Sequence, residues 1–308
     1  MILTVTLNPS IDKTFVLSGF ALNKLNRAEL PLIVAGGKGV NAAVVLSLYG
    51  EEVVATGFLG GLSGRNVAEY LRSKDVTTNF AHIEESTRTN YIIFDKDKIT
   101  QINEVGPAID DEDLNNFLEI YERLLVYTDF VIIAGSIPPS VDNGIYSKLV
   151  KIAKEKDIKC LVNASGETLE KALESAPYIV KPDIRVKEKV LGFDLDSKEN
   201  KIKVAQKILS AGTEIVLLSE SVLAEMVVSK DKAFVARPAQ ESVKSRIGVQ
   251  DSIIGGFTYG TLHDLSLEEA AKVAVCAGQA AANRITSTPE DSKEIESCKI
   301  NVKIEELA

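Results

Sequence analysis

Histidine is nearly missing from this chain. His82 and His263 are the only two among 308 residues, and no ligand-type side chains cluster around either, which argues against a His-based metal centre and a Ser-His-Asp triad. Cysteine is also scarce. Cys160, Cys276 and Cys298 are an odd number without paired spacing, so the sequence predicts a reducing, cytoplasmic setting and no disulfide framework. Positive charge is in deficit, with 35 Lys and Arg against 44 Asp and Glu and a net charge of -9. Without a basic run to follow a phosphate backbone, nucleic acid is not expected as a partner. No apolar run approaches the roughly 20 residues of a membrane span. Residues 1–9 are apolar but short and lack a positive leader, so they read as a strand, and no membrane association is expected.

What remains is ordinary globular composition, 45% hydrophobic and 26% charged, in enough chain for one large domain over residues 1–308. Strand-like and helix-like segments alternate. Short β-branched apolar runs at 3–7, 53–58, 130–133, 159–162, 178–180 and 215–218 are of buried-strand type. Between them, Val40, Val44 and Leu48 repeat at four-residue spacing, and Ile109-Asp110-Asp111-Glu112 opens a helix with acids in its first turn. The pattern predicts an α/β fold, a three-layer α/β/α sandwich around a mostly parallel sheet. Two stretches, about 12–29 and 89–103, instead alternate in the β manner around polar turns. They read as one small sheet projecting from the main domain, a lid over the site and a surface for a homodimer. Near the end, a helix over 267–285 is dense in small residues such as Ala270, Ala274 and Gly278, which lets another backbone or a flat ligand come close.

Two motifs carry chemistry. In Gly248-Val249-Gln250-Asp251-Ser252 a glycine turn delivers a carboxylate to the first turn of an apolar helix. A helix start attracts anions, because its free N–H groups and the positive end of its dipole point outward. Asp251 has two open roles there: capping the helix, or accepting a proton from a hydroxyl that attacks a bound phosphate. In Gly36-Gly37-Lys38-Gly39-Val40-Asn41, glycines let the backbone approach a ligand and Lys38 offers a point charge suited to phosphate. The spacing is not that of a Walker loop. A tight turn with a solvated lysine is the plainer alternative.

Four further segments complete a pattern. Taken in order, the chain resembles the ribokinase-like (PfkB) sugar kinases, in the branch of 1-phosphofructokinase and tagatose-6-phosphate kinase. Thr6-Leu7-Asn8-Pro9-Ser10-Ile11-Asp12 is similar to that branch's opening strand with its sugar-contacting aspartate, and Gly36 to Asn41 to its substrate loop. Thr87-Arg88-Thr89-Asn90 resembles the substrate-phosphate arginine segment, and Ile102-Asn103-Glu104-Val105-Gly106-Pro107 the strand after it. Ala134-Gly135-Ser136-Ile137-Pro138-Pro139 resembles the family's Gly-Ser-x-Pro-Pro strand end, and Gly248 to Ser252 its Gly-Ala-Gly-Asp-Ser loop.

The resemblance implies ATP-dependent phosphorylation of a ketohexose phosphate, fructose 1-phosphate or tagatose 6-phosphate, to a bisphosphate, with Mg²⁺. It implies that Asp251 is the general base and that the N–H groups of Gly248, Val249, Gln250 and Asp251 form the anion hole. Lys38, Arg27 and Arg88 would hold the phosphate already on the sugar. Asp12 and Asn41 would bind sugar hydroxyls, with Gly37, Asn103 and Ser136 completing the substrate side. Lys181, Asp183, Ser219, Ser221, Gly248, Gly278 and Asn283 make the implied nucleotide side, and Asp183 would hold the metal through water.

Departures from the family fall mostly on that nucleotide side. Val249 and Gln250 stand where the family has Ala and Gly, and Gln250 must crowd the loop or replace backbone contacts with its amide. The metal-organising Asn-x-x-Glu segment is Asp183-Ile184-Arg185-Val186, without a ligand atom on Val186. The Ser-x-Gly-x-x-Gly phosphate loop is Ser219-Glu220-Ser221-Val222-Leu223-Ala224, with both glycines gone, and Asn163 replaces an aspartate. A working or weakened kinase and a sugar-phosphate-binding sensor without turnover both follow. Lys38 and Arg88 argue against an unphosphorylated substrate, which gives them no anion.

Overall fold

The β-branched runs become strands of one large sheet, and the periodic stretches become the helices that cover it. The computed structural model describes residues 1–28, 31–96, 98–184, 189–298 and 301–307. In chain order the strands are β1 (Ile2–Thr6), β2 (Ser10–Leu17), β3 (Leu32–Gly36), β4 (Val53–Gly60), β5 (Thr77–Thr78), β6 (Ala81–Ile83), β7 (Arg88–Asp95) and β8 (Lys98–Asn103). They continue as β9 (Phe130–Ala134), β10 (Lys159–Asn163), β11 (Ile179–Val180), β12 (Ile215–Ser219), β13 (Glu225–Ser229), β14 (Ala233–Pro238) and β15 (Val302–Glu306). The helices are α1 (Lys38–Leu48), α2 (Gly61–Arg72), α3 (Asp111–Leu124), α4 (Ile145–Lys154), α5 (Gly166–Leu173), α6 (Lys198–Ser210), α7 (Val249–Leu262), α8 (Leu267–Ala282) and α9 (Ser292–Glu296). No described helix is long and apolar enough to cross a membrane.

The large sheet runs β15-β14-β13-β12-β11-β10-β9-β1-β4-β5, with β6 also on β4. It is parallel from β12 to β5 and antiparallel from β12 to β15. Alternate residues of its strands feed two cores. Phe130, Ile132 and Ala134 of β9 pack with α1, α2, α7 and α8, whereas Val131 and Ile133 pack with α3 to α6. That period-two division is what a sheet buried on both faces requires, and it produces the three layers.

The smaller sheet runs β3-β2-β7-β8, with β2 parallel to β7 and the outer pairs antiparallel. Only the first third of the stretch 12–29 is strand. β2 ends at Leu17, and its partner β3 starts at Leu32, beyond the expected boundary. The described residues between them form a loop because Gly19 and Asn23 take positive φ, 142° and 57°, and because the Asn26 amide closes on the backbone of Ala21. Ala21 N donates to Asn26 Oδ1 at 2.9 Å, and Asn26 Nδ2 donates back to Ala21 O at 2.8 Å. Glu29 and Asp97 of the two expected lid stretches lie outside the described residues.

Small residues let α7 and α8 approach closely. A Cβ on Gly256 would sit 2.9 Å from Ala274 Cα, and one on Gly260 2.6 Å from Ala270 Cα. Helix propensity favours alanine over glycine by ~1 kcal/mol, but overpacking a tight contact costs about 1–3 kcal/mol. Gly260→Ala is therefore expected to lower the urea midpoint of unfolding; a raised midpoint would show that the helices have room to spare.

Candidate active site

Parallel strands leave a crevice beyond their carboxyl ends, where ligands of open α/β sheets bind. Here that crevice is a cleft of about 770 Å³. Thr6 and Asn8 line it from β1, Gly135 and Ser136 from β9, Asn163 from β10, Lys181 from β11 and Ser219 from β12. The small sheet contributes alternate residues of one face: Ser10 and Asp12, then Arg88, Asn90 and Ile92, then Ile99, Gln101 and Asn103. The N-terminal ends of α1 and α7 border the same space through Gly37 and Lys38 and through residues 248–251.

Asp251 does not cap its helix. The N-cap of α7 is Gly248, at φ 74°, and no side chain closes on the first turn. Glycine is required there, since a Cβ would fall 1.7 Å from Ser287 O. Asp251 is the third residue of α7, buried at 6% exposure. Its Oδ2 accepts from Asn41 Nδ2 at 2.7 Å. Asn41 is thus bound to the carboxylate, where the sequence had it on a sugar hydroxyl.

Lys38 is not solvated. It is 5% exposed, and its Nζ donates to Asn163 Oδ1 at 2.6 Å and pairs with Asp183 Oδ2 at 2.5 Å. Arg88 Nη2 donates to Asn8 O at 2.9 Å and Ser136 Oγ at 3.4 Å, and its Nη1 to Glu104 O at 3.1 Å. Asp12 is buried, with Oδ1 accepting from Ser10 Oγ at 2.7 Å and Asn90 Nδ2 at 2.8 Å.

On the other side, Gln250 does with its amide what glycine cannot. Ser219 Oγ donates to Gln250 Oε1 at 2.7 Å, and Gln250 Nε2 donates to Val222 O at 3.0 Å, tying α7 to the β12–β13 loop. Ser221 Oγ accepts from Ala224 N at 3.1 Å within that loop. Beneath it, fully buried Lys181 and Glu225 form an ion pair, and Lys181 Nζ also donates to Ser219 Oγ at 3.2 Å.

Three expected residues are elsewhere. Arg27 is exposed in the β2–β3 loop and does not line the cleft. Gly278 faces Ile253 and Val249 of α7, a helix-packing position, because small residues on α8 serve the approach of α7. Asn283 is the exposed C-cap of α8, in a separate hollow with Lys244 and Arg284. Arg185 and Val186 of the segment expected to organise metal lie outside the described residues. Ser10 and Asn90 received no role from the sequence, although two-residue spacing from Asp12 and Arg88 would have placed them on the same strand faces. Glu225 had no such signal, since it reaches the site only across the β12–β13 turn.

The model for "pfkB family carbohydrate kinase" matches residues 5–293. The chain belongs to this family. It is 33% identical over 282 residues to the 1-phosphofructokinase of Bacillus subtilis, covering 92% of each chain. It is 33% identical over 278 residues to the tagatose-6-phosphate kinase of Staphylococcus epidermidis, covering 89% of each. A solved structure from Thermotoga maritima, described as a possible 1-phosphofructokinase, superposes over 100% of both chains with a TM-score of 0.94 at 33% identity. These family members support a sugar-phosphate kinase, and the ribokinase-like sandwich matches theirs.

Burial holds the Asp12 carboxyl above the ordinary carboxylate range and outweighs its hydrogen bonds from Ser10 and Asn90. A raised value in the folded state means that ionised Asp12 costs stability. That cost is absent below the unfolded value of about 4 and fully present above the folded one. Asp12→Asn keeps an oxygen for both donors, so it should be more stable to urea than the parent at neutral pH, with the advantage shrinking as the pH falls toward about 4. An advantage independent of pH would contradict this.

Proposed function

We propose that the chain transfers the γ-phosphoryl group of ATP to a hydroxyl of fructose 1-phosphate or tagatose 6-phosphate, giving a bisphosphate, with Asp251 as general base. The observation that carries this reading is a buried carboxylate at the N-terminal end of α7, in one cleft with the cations Lys38 and Arg88. Arg88 and Lys38 hold the phosphate already on the sugar, Arg88 by the two-pronged contact a guanidinium allows. Asp12, with Asn90 and Ser10 behind it, orients the hydroxyls. The attacking hydroxyl gives its proton to Asp251 as its oxygen bonds to the γ-phosphorus and the bond to ADP breaks. The free N–H groups of residues 248–251 stabilise the charge on the transferred group.

Among the described residues no three His, Cys, Asp or Glu side chains cluster as a metal cage. Asp183, the carboxylate that lines the cleft beside Lys38, suits Mg²⁺, which keeps several waters and takes its remaining ligands from phosphates. Bound there, the ion would neutralise phosphate charge. The small sheet serves as the lid. It exposes Ile33 and Ile102 on the face turned from the cleft, and the adjoining loop exposes Leu22 and Leu25, apolar side chains that a homodimer would cover. Arg27 shares that loop, so its contact with the sugar's phosphate is assigned to the dimer.

A second reading, a sensor that binds sugar phosphate without turnover, is favoured by one feature: the Gln250 amide fastens the loop in which the family places glycines. Two measurements decide. Asp251→Asn should cut turnover by about 10² to 10⁴ while sugar-phosphate affinity stays close to that of the parent; full turnover in the mutant would remove the base. By calorimetry, fructose and tagatose should bind far more weakly than their phosphates, because they lack the group that Lys38 and Arg88 would contact. Equal affinities would defeat the assignment of Lys38 and Arg88.

A further inference from the structure

We propose that Ser287 is a positioning residue for Asp251, acting through Asn41; this rests on the reading of Asp251 as the base. Ser287 Oγ donates to Asn41 Oδ1 at 3.0 Å, and Asn41 Nδ2 donates to Asp251 Oδ2 at 2.7 Å. All three side chains are buried, Ser287 to 2% exposure. An amide can present either end, and a half turn exchanges its donor for its acceptor. Were Asn41 turned, its carbonyl oxygen would face an ionised carboxylate and two acceptors would meet. The Ser287 hydroxyl, by donating to Oδ1, holds the amide fast in the orientation in which Nδ2 meets Asp251.

Ser287 is itself fixed. Its carbonyl oxygen occupies the space a Cβ on Gly248 would need, so the segment after α8 is pressed against the N-cap of α7. One residue outside every motif therefore supports the anion loop with its backbone and orients the base's partner with its side chain. A general base must hold its lone pair toward the hydroxyl it deprotonates, and small misplacements are expensive in rate.

Ser287→Ala removes the hydroxyl and leaves the backbone contact. It should lower kcat about tenfold, equivalent to ~1.4 kcal/mol, leave KM for the sugar phosphate within about twofold, and barely move the melting temperature. In an Asn41→Ala background the same substitution should change nothing, since its route is gone. An unchanged kcat in Ser287→Ala, a loss expressed in KM, or an undiminished effect in the Asn41→Ala background would each overturn the proposal. A readout free of activity separates it from the proposed function: the side-chain amide protons of Asn41 in a ¹⁵N NMR spectrum. Loss of their carboxylate-bonded shift in Ser287→Ala supports the relay even if the parent turns over no sugar phosphate, and retention of that shift refutes it.

Discussion

Where Asp251 lies depends on how closely α7 can approach its neighbours. Gly256 and Gly260 lie against the backbone of Ala274 and Ala270, and a Cβ on Gly255 would stand 2.8 Å from Val45 Cβ of α1. Spacing between packed helices follows the size of the side chains at the contact, so glycine and alanine bring α1, α7 and α8 together with little between them. The N-terminal ends of α1 and α7 then border one cleft, each with free N–H groups and the positive end of a dipole. Such a mouth attracts phosphate before any side chain acts. A stand-off by one methyl group would shift the helix that carries Asp251, the proposed base, and displacements of about 1 Å can cost a hundredfold in rate.

Buried charge is the second constraint. Lys38 and Lys181 are both out of water, and an uncompensated buried charge costs ~3–5 kcal/mol. Asp183 and Glu225 compensate them. The two pairs are linked. Asn163 accepts from Lys38 and donates through Nδ2 to Lys181 O at 2.7 Å, and Lys181 reaches Gln250 of α7 by way of Ser219. The Lys38 end and the Gln250 end of the cleft therefore share one hydrogen-bonded frame. Changes at the Gln250 end, such as Gln250 in place of glycine, act on a structure that also sets the neighbourhood of Lys38.

Much of this was legible in the residues. The runs at 130–133 and 215–218 are apolar on both faces, which only a doubly covered sheet allows, and they became β9 and β12. The motifs around Lys38, Arg88 and Asp251 converged on one cleft. Other features were hidden because they depend on partners distant in the chain. Whether Asp251 caps its helix or faces a neighbour is decided by Asn41, 210 residues away. For Lys38 the sequence left open a phosphate ligand and a solvated lysine; its burial is set by the ends of β10 and β11, which bring Asn163 and Asp183 to it. β3 was missed because its alternation is short and only pairing with β2 gives it meaning. The small residues of α8 admitted another backbone or a flat ligand; at Gly278 the neighbour is α7, through Ile253 and Val249.

The claim on which the account turns is phosphoryl transfer to a sugar that already carries a phosphate. Phosphorus NMR of the purified protein with ATP, Mg²⁺ and either fructose 1-phosphate or tagatose 6-phosphate follows this directly. The γ-phosphate resonance of ATP should decline as ADP and a second sugar phosphomonoester resonance appear together, with one of the two substrates. Loss of ATP to inorganic phosphate alone, or tight binding of both sugar phosphates with no new phosphomonoester, would contradict it.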